Sequence, residues 1–391
     1  MNRITRHLAP AAIIALAVSG VTAVRADDDN FKRQPNAYVV TKLVSDLKNV
    51  AKVQDPVLQN AWGVAFSPAG SPFWVADNAT GCSTLYAGDG TKVVALQVSI
   101  PLPGNMVPST ACQTVDPKNP PTNAAPTGII WNPSSAFVVP GTQLQAAFIF
   151  DTEDGTLSAW AGGFTPNPNN AVIAVDNSAN GAVYKGLAFG VNVHGAFLFA
   201  TNFNAGTIDV FGPNGPDGLF TPATTDGGFT DPKIPTGFAP FGIENINGDL
   251  FVTYAKQNAE KHDDVAGPGN GFVDVFDTNG HFLRRFASRG SLNSPWGVAR
   301  ASFAFGRFSG DILVGNFGNG KINVFDSRGR FIDELDRPNG KPVIIDGLWK
   351  LTSGGGRTSS SDTLYFTAGP NDEKDGLFGT ITPVSGKGDD D

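Results

Sequence analysis

Residues 295–325 contain three short apolar segments, PWGVAR (295–300), DILVGN (311–316) and GKINVF (320–325), and their pattern decides the fold. The first segment carries a glycine beside an aromatic residue, and glycine-containing breaks separate the later segments. Short apolar runs bounded by turn residues are typical of β-strands joined by tight turns. The stretch therefore predicts three consecutive strands of one sheet.

The same three-segment pattern occurs six times along the chain. The first copy contains WGVA, PFWVAD and STLYAGDG, and the fourth contains PFGIEN, DLFVTY and GFVDVF. Six copies of about four strands each fit the blades of a β-propeller, and no helical periodicity supports a helical solenoid. The leading glycines of the copies lie about 50–65 residues apart and are Gly63, Gly128, Gly186, Gly242, Gly297 and Gly347.

The two ends of the repeat array are expected to pair with each other. The sixth copy lacks a fourth strand, whereas AYVVTKLVSD (37–46) is a strand-like segment that precedes the first copy. We predict that this segment supplies the outer strand of the sixth blade, because such pairing removes two open sheet edges. The predicted fold class is all-β: a six-bladed β-propeller over residues 37–384, closed by pairing of an N-terminal strand with the last blade.

The chain ends are expected to lie outside the propeller. Residues 1–26 combine basic residues, a short apolar run and small residues before a cleavage point near Ala26, which is typical of a secretory signal peptide. A membrane anchor is the alternative, but the apolar run is shorter than the ~20 residues that a span needs. Residues 27–36 are expected to be a flexible N-terminus and residues 385–391 an acidic tail. The protein is therefore expected to be secreted or periplasmic.

The charge balance narrows the class of partner. The formal net charge is −8, and no segment of the sequence concentrates Lys and Arg. Nucleic acids and anionic membrane surfaces attract basic patches, so we expect neither as a partner. No later segment approaches the ~20 apolar residues that a membrane span requires, so no span is expected. An unknown ligand or protein is the expected partner.

The chain contains two cysteines, Cys82 and Cys112. In an oxidising compartment an even pair is expected to form a disulfide. A zinc site is the alternative, but two thiolates need further ligands to complete a tetrahedral shell.

Four long motifs carry a resemblance to known proteins: NAWGVAFSPAGSPFWVADNATG, HDDVAGPGNGFVDVFDTNG, SPWGVA and YFTAGPNDEKDGLFGTI. Through them nearly the whole mature chain resembles a family of exported bacterial six-bladed β-propellers of unassigned function. More distantly it is similar to NHL-type propellers, whose relatives include lactonases, phosphotriesterases and lyases. The first resemblance implies fold and export without a catalytic assignment, and the second supplies only hypotheses about chemistry.

The loops between the second and third strands are expected to surround the mouth of the central channel. The longest of them, AKQNAEKHDDVAGPGNG (255–271), carries three consecutive ionisable residues. A tight turn does not need such a triplet, whereas isolated Asp and Asn are common in turns for reasons of backbone geometry alone. With that alternative open, the candidate ligand-binding residues of the other loops are Asn78, Glu153, Asn202 and Asn316.

Carboxylates of two of these loops suggest a metal. Hard cations such as Ca²⁺ take ~6–8 oxygen ligands, and the candidate ligands are Asp263, Asp264, Asp372 and Glu373. The alternative is that a lysine, Lys261 or Lys374, bridges the two acidic loops. His262 is predicted to be the only histidine at the mouth after export, and so the candidate general base or acid.

Two functions from different classes remain. One is an exported propeller that binds a partner, glycan or small ligand through the loop-rich mouth. The alternative is a Ca²⁺-dependent hydrolase, lactonase or lyase with its site at the same place. Three tryptophans beside the leading glycines either line a ligand pocket or fill the wedges between blades, and they are Trp62, Trp296 and Trp349.

Overall fold

The computed structural model describes residues 34–384 except residues 94, 106–110, 116–122, 164–167 and 216. The predicted signal peptide, residues 27–33 of the predicted flexible N-terminus and the predicted acidic tail therefore lie outside the described residues. The strands form six separate sheets, five of four strands and one of five, which are the six blades of a propeller. In the described part of the chain, no helix is long and apolar enough to cross a membrane.

Two strands precede the first blade, and each of the first three blades then follows in chain order. The leading strands are β1 (Tyr38–Ser45) and β2 (Val53–Gln54). Blade 1 consists of β3 (Ala61–Ala65), β4 (Phe73–Asp77), β5 (Cys82–Tyr86) and β6 (Val98–Ser99). Blade 2 consists of β7 (Pro126–Trp131), β8 (Phe148–Thr152), β9 (Thr156–Trp160) and β10 (Val172–Asp176). Blade 3 consists of β11 (Tyr184–Asn192), β12 (Gly195–Asn202), β13 (Thr207–Asn214) and β14 (Phe220–Ala223).

The last three blades continue the same order. Blade 4 consists of β15 (Phe238–Ile246), β16 (Asp249–Lys256), β17 (Phe272–Phe276) and β18 (Phe282–Ser288). Blade 5 consists of β19 (Pro295–Arg300), β20 (Ile312–Asn316), β21 (Ile322–Phe325) and β22 (Phe331–Glu334). Blade 6 contains β23 (Leu348–Ser353), β24 (Leu364–Ala368) and β25 (Leu377–Pro383). The only helical segments among the described residues are short turns at Ser178–Asn180, Gly306–Phe308 and Pro370–Glu373.

Blade 6 is completed from the other end of the chain, as predicted. Strand β1 pairs antiparallel with β25, with Tyr38 opposite Pro383 and Ser45 opposite Leu377. Strand β2 then adds a short parallel edge to β1, which the sequence did not predict. Because the terminal strands share one sheet, unfolding one end of the ring must expose the other.

Every inner strand carries a β-bulge at the same place in its blade. The register shifts fall between Ala61 and Val64 in blade 1 and at equivalent positions in the other five. Each shift encloses two residues, which are Trp62-Gly63, Thr127-Gly128, Lys185-Gly186, Phe241-Gly242, Trp296-Gly297 and Trp349-Lys350. The glycine-containing pair that marks most copies of the sequence repeat therefore corresponds to this bulge in the structure.

The glycine of the bulge is required by close packing of neighbouring inner strands. A Cβ atom at Gly242 would lie 2.2 Å from the carbonyl oxygen of Trp296, and one at Gly297 would lie 2.4 Å from that of Trp349. The assignment of Gly347 as the sixth leading glycine is wrong, because the bulge of blade 6 lies further along the chain. Its glycine position is taken by Lys350.

Aromatic side chains from the bulges meet across the ring and fill the middle of the channel. Trp62 stacks on Trp349 with centroids 3.4 Å apart, and Trp296 meets both rings edge-on. We call this group with Phe203 and Phe241 the aromatic plug; all five side chains are at most 4% exposed. The tryptophans therefore pack on one another across the channel, and the interpretation that they fill wedges between blades is wrong.

Candidate functional site

The long loop between β16 and β17 is fixed by its own hydrogen bonds at the channel mouth. Within it, the amide of Asn258 donates to the Asp263 carbonyl (2.8 Å) and the amide of Val265 to that of Lys256 (2.7 Å). The side chain of Gln257 donates to the Phe203 carbonyl at 2.6 Å, which attaches the loop to blade 3. These bonds hold the predicted ionisable triplet beside the inner strand of blade 3.

Lys185 lies at the centre of the mouth. Its ammonium hydrogen-bonds the carboxylate of Glu153 and lies 3.5 Å from Oδ1 of Asp263. The side chain is 2% exposed, and the nitrogen lies 5.2 Å from the centre of the Trp62 ring. Burial alone would lower the pKa of Lys185, but the charges of Glu153 and Asp263 raise it above its usual value. Lys185 is therefore a permanently charged cation on the surface of the plug.

Two asparagines connect the carboxylates around the mouth. Asn78 donates a hydrogen bond to Glu153 at 2.9 Å, and Asn60 donates to Asn78 at 3.1 Å and to Glu373 at 2.8 Å. The indole of Trp349 donates to the Asn60 amide oxygen at 3.2 Å. This chain of bonds fixes Glu153 and Glu373 in place above the plug. We call the assembly the mouth cluster; it comprises Asn60, Asn78, Glu153, Lys185, Asp263, Asp264 and Glu373.

Negative charge exceeds positive charge in the mouth cluster, with four carboxyl groups around one ammonium. The pKa of Glu373 is raised to about 7, mainly by burial and also by the charges of Glu153 and Asp264, while the hydrogen bond from Asn60 and the charge of Lys185 lower it. Burial also raises the pKa of Asp264 against the lowering effects of the nearby Ser294 hydroxyl and of Lys185, and Oδ2 of Asp264 is buried without a hydrogen bond of ordinary geometry to a described residue. Lys185 alone thus leaves two of the four acids poorly compensated.

His262 is attached to the rim of the mouth cluster. Its Nδ1 lies 2.8 Å from Oδ1 of Asp263, and its side chain is 45% exposed. Burial works against ionisation of Asp263, but the hydrogen bond with His262 and the charge of Lys185 keep the pKa of Asp263 below its usual value. The arrangement leaves Nε2 as the ring nitrogen that is free of this contact, as a general base would require.

One trio of residues has the spacing of a metal site. Glu153, His262 and Asp263 each offer a ligand atom, and these atoms lie within 4.8 Å of one another. The Lys185 ammonium contacts both carboxylates of the trio. A charged lysine in that position repels a metal ion, so the trio does not fit a resident cation. Lys185 joins the loop of Glu153 to the loop of Asp263, and Lys374 contacts Asp372 of its own loop, so the lysine bridge predicted between the two acidic loops is not observed among the described residues.

Three predicted site residues are engaged elsewhere. Asn202 accepts hydrogen bonds from the amides of Val183 and Ala205, and Asn316 accepts from the amide of Asn293. Ala205 belongs to the same turn as Asn202, whereas Val183 and Asn293 lie in the connections between blades, so these bonds are structural. Ligand binding by both asparagines stays a prediction. Asp372 is 93% exposed and lies 3.7 Å from Lys374, outside the mouth cluster.

Two members of the mouth cluster escaped the sequence analysis, and one of them had a readable signal. Aligning the bulges places Lys185 where the other blades have Trp, Thr or Phe, so the lysine of YKGLAF departs from the repeat. Asn60 precedes β3 and has a positive φ of 48°, and nothing in its local sequence indicates a role at the mouth.

The disulfide prediction is confirmed. Cys82 begins β5 of blade 1 and is bonded to Cys112, with the two Cα atoms 5.8 Å apart. The bond fastens the connection between blades 1 and 2, whose residue Val115 also donates its amide hydrogen to the Gln59 side chain at 2.8 Å. This disulfide fits the oxidising compartment that was predicted.

Comparison with known proteins identifies viral relatives. Uncharacterized protein R648 of Acanthamoeba polyphaga mimivirus is 32% identical over 353 residues, which cover 90% of this chain and 81% of the viral protein. Uncharacterized protein L690 of the same virus is 30% identical and covers 90% of this chain and 87% of the viral protein. The chain belongs to the family of these two proteins. The bacterial origin implied by the resemblance is not supported by these relatives of the R648 family.

Other comparisons bear on the fold alone. No family model matches the sequence, so the NHL-type repeat stays a prediction. A streptogramin B lyase structure is 10% identical with a TM-score of 0.47, covering 89% of this chain and 98% of the lyase. A luciferin-regenerating enzyme structure is 12% identical with a TM-score of 0.47, covering 90% of this chain and 96% of that enzyme. Similarity at this level says nothing about the chemistry of the R648 family.

Proposed function

We propose that the protein binds, at the mouth cluster, a small ligand or partner segment that carries a positively charged group. The observation that supports this most is the excess of acid around Lys185. Glu153 and Asp263 are compensated by the lysine, whereas Glu373 and Asp264 have raised pKa values and compete for the same cation. A second positive group would let both remaining acids ionise, and this gain would favour binding.

The aromatic plug argues against a sugar as the main ligand. A glycan that binds by stacking on an aromatic ring needs a ring face that is exposed to solvent. The three tryptophans at the mouth are 1–4% exposed because they cover one another. They can contribute a dry floor that strengthens charge interactions, which suits an ammonium or guanidinium group.

Thermal unfolding with an organic polycation tests the proposal. In chelator-treated buffer, spermidine is expected to raise Tm in a saturable way, while NaCl at the same ionic strength is not. Glu373→Gln and Asp264→Asn are each expected to weaken spermidine binding at least tenfold, about 1.4 kcal/mol.

The matched control is Asp372→Asn, which removes one acid from the same face at a side chain that is 93% exposed. It should bind spermidine as the parent does. If Asp372→Asn loses as much spermidine affinity as Glu373→Gln, spermidine is attracted by the overall negative charge of this face and not by the mouth cluster. That result would contradict the proposal.

The second candidate is a Ca²⁺-dependent hydrolase, lactonase or lyase. One observation favours it: Asp264 and Glu373 come from different loops, the charge of Asp264 raises the pKa of Glu373, and Oδ2 of Asp264 is buried without a hydrogen-bond partner among the described residues. These two carboxylates would hold the ion, and a bound Ca²⁺ would polarise a carbonyl or phosphoryl oxygen. His262 would accept or donate the proton at Nε2.

A substrate screen separates this candidate from the first. Lactones and phosphotriesters are incubated with chelated protein, with and without millimolar Ca²⁺. Turnover that requires Ca²⁺ and disappears in His262→Ala would favour the enzyme. A protein that binds spermidine, shows no Tm rise with Ca²⁺ and turns over no substrate supports binding alone.

Export is part of the same proposal. The Cys82–Cys112 bond supports an oxidising compartment, and residues 1–26 carry the signal-peptide pattern. Expression of the full chain in a bacterial host should release protein whose N-terminal sequence starts at Asp27. Recovery of a chain that keeps residues 1–26 would contradict the predicted cleavage near Ala26.

A further inference from the structure

We propose that the opposite end of the channel is a second binding site, which takes a small, uncharged and mainly apolar molecule. A cavity of about 440 Å³ lies there, and this volume falls within the ~300–1,000 Å³ of small-molecule pockets. Its apolar lining comes from the inner strands of blades 1, 2 and 3 and is formed mainly by Val64, Phe66, Ile129, Trp131, Leu187 and Phe189.

The aromatic plug separates this cavity from the mouth cluster. Each inner strand starts at the mouth, so residues that follow the bulge lie toward the far face of the ring. Lys185 lies 5.2 Å from the Trp62 ring and Lys350 lies 5.7 Å from the Trp296 ring, and these two rings are in edge contact. The two lysines therefore belong to different ends of the channel, and we call the second end the far cavity.

Among the described residues that line the far cavity two are charged, and both depart from the repeat. Lys350 replaces the glycine that the other five bulges carry. Glu244 follows the bulge glycine by two residues, where blades 1, 3 and 5 have alanine. The ammonium of Lys350 hydrogen-bonds Oε2 of Glu244 across the channel. Each charge thus enters the cavity from a different blade and finds the other.

Stability does not account for this pair. Lys350 is 12% exposed and Glu244 is 32% exposed, so the lysine loses most of its hydration while the attraction of a partly solvated pair adds little, and an apolar pair of similar size would stabilise the fold at least as well. At these two positions the other blades carry glycine and uncharged residues (Ala, Ile or Thr), so the fold itself does not need a charge here. A few placed polar groups in an apolar cavity are instead the usual composition of a site that orients a ligand.

The pair also determines the charge of the ligand. Lys350 and Glu244 neutralise each other, and a charged ligand would have to separate them and leave one charge unpaired. An uncharged carbonyl or hydroxyl group can accept a hydrogen bond from Lys350 without breaking the pair, since the ammonium has three donors. Among the described residues Glu244 is the only side chain that accepts one of them. The ligand is therefore an apolar body with one uncharged polar group.

Fluorescence titration with prodan, an uncharged naphthalene ketone, tests the site in the full chain. Prodan is expected to bind saturably at one site with blue-shifted emission. Ala65→Trp and Thr352→Trp fill the far cavity from two different blades, and each should lower prodan affinity at least tenfold. Val193→Trp is the matched control, because it adds the same side chain at a hairpin position that is 89% exposed, and it should bind as the parent does.

Two further measurements make the result specific. Glu244→Gln leaves the Lys350 ammonium without its carboxylate, so the affinity of the anionic dye anilinonaphthalene sulfonate should rise at least fivefold relative to prodan. Spermidine should not displace prodan, because it is expected at the other side of the plug. Unsaturable prodan binding, equal affinity in the filling variants and the control, or displacement by spermidine would each overturn the second site.

Discussion

The two ends of the channel use the same kind of ion pair in opposite surroundings. At the mouth, Lys185 and Glu153 are 2% and 15% exposed and have three further carboxyl groups around them. At the far end, Lys350 and Glu244 are 12% and 32% exposed and lie in an apolar cavity without a surplus charge. The repeated inner strands form the uncharged lining of the channel. The charged groups at both ends come from residues that depart from the repeat and from the loops.

The largest expected difference between the two ends is in stability. Lys185→Met leaves Glu153 and Asp263 without their counter-charge, and loss of one partner of a buried pair costs about 3–5 kcal/mol. Lys350→Met leaves Glu244 partly in water, so we expect a loss of about 1 kcal/mol or less. Urea unfolding of the two variants beside the parent measures both free energies.

One outcome would contradict the expected difference in stability, and another would show its cause. Equal losses in the two lysine variants would mean that burial does not distinguish the ends. A loss at Lys185 that is fully restored by the added substitution Glu153→Leu would confirm that the cost comes from the unpaired carboxylate and not from lost packing of the lysine stem.

Removal of the disulfide should affect the mouth and not the far end. The bond closes a loop with a sequence separation of 30 residues, and the chain-entropy relation gives about 3–4 kcal/mol for such a loop. Cys82→Ala with Cys112→Ala should lose that amount in urea unfolding. Spermidine binding should weaken, because Val115 and Gln59 lose their fixed link, while prodan binding stays as in the parent. A variant in which prodan binding alone weakens contradicts this assignment.

A smaller effect is expected from Glu373. Its pKa is raised from the usual 4.5 to about 7 in the folded protein, so the folded state holds the proton more tightly than the unfolded chain. The stability that this group contributes is present below pH 4.5 and is lost as the pH rises to about 7. The Tm of the parent should therefore fall relative to Glu373→Gln between pH 4.5 and 7.5. A difference that is constant over this range, or that grows in the other direction, shows that the carboxyl is ionised throughout.

Spermidine affinity should also depend on the ionisation of Glu373, but it should increase with pH where the stability decreases. Ionisation of Glu373 adds the negative charge that the ligand needs, so affinity should rise as the pH passes through about 7. Glu373→Gln should bind weakly at both ends of this pH range, and calorimetric titration at several pH values measures the difference.

The fold could be predicted from the sequence because its signal is repeated. Six copies of one strand pattern predict six blades. Segment 37–46 is a strand outside these copies and the sixth copy lacks a fourth strand, so the two are predicted to pair. Gly347 lies close to the position expected for the sixth leading glycine, and the sequence pattern therefore does not show that Lys350 replaces the bulge glycine in blade 6. Aligning the bulges by their aromatic residue places Trp349 with Trp296 and corrects the register.

The site could be predicted where its residues lie in the loops between the second and third strands, and most clearly in the long insert of blade 4. His262, Asp263 and Asp264 stand out because no turn requires them, and the structure brings them to the mouth cluster. Lys185 sits inside a strand, and its partner Glu153 belongs to another blade, so their contact depends on the ring closing. Asn202 and Asn316 were predicted from the same loop pattern; their side chains accept hydrogen bonds from backbone amides, and ligand binding by them stays a prediction.

A crystal of the protein soaked with both spermidine and prodan would show directly which molecule binds at each end of the channel. We expect spermidine density against Glu373 and Asp264 on the mouth side of the plug, and prodan density between the inner strands of blades 1 to 3 beside Lys350. Prodan at the mouth, spermidine in the far cavity, or both ligands at one end would contradict the division of the channel into a charged and an apolar site.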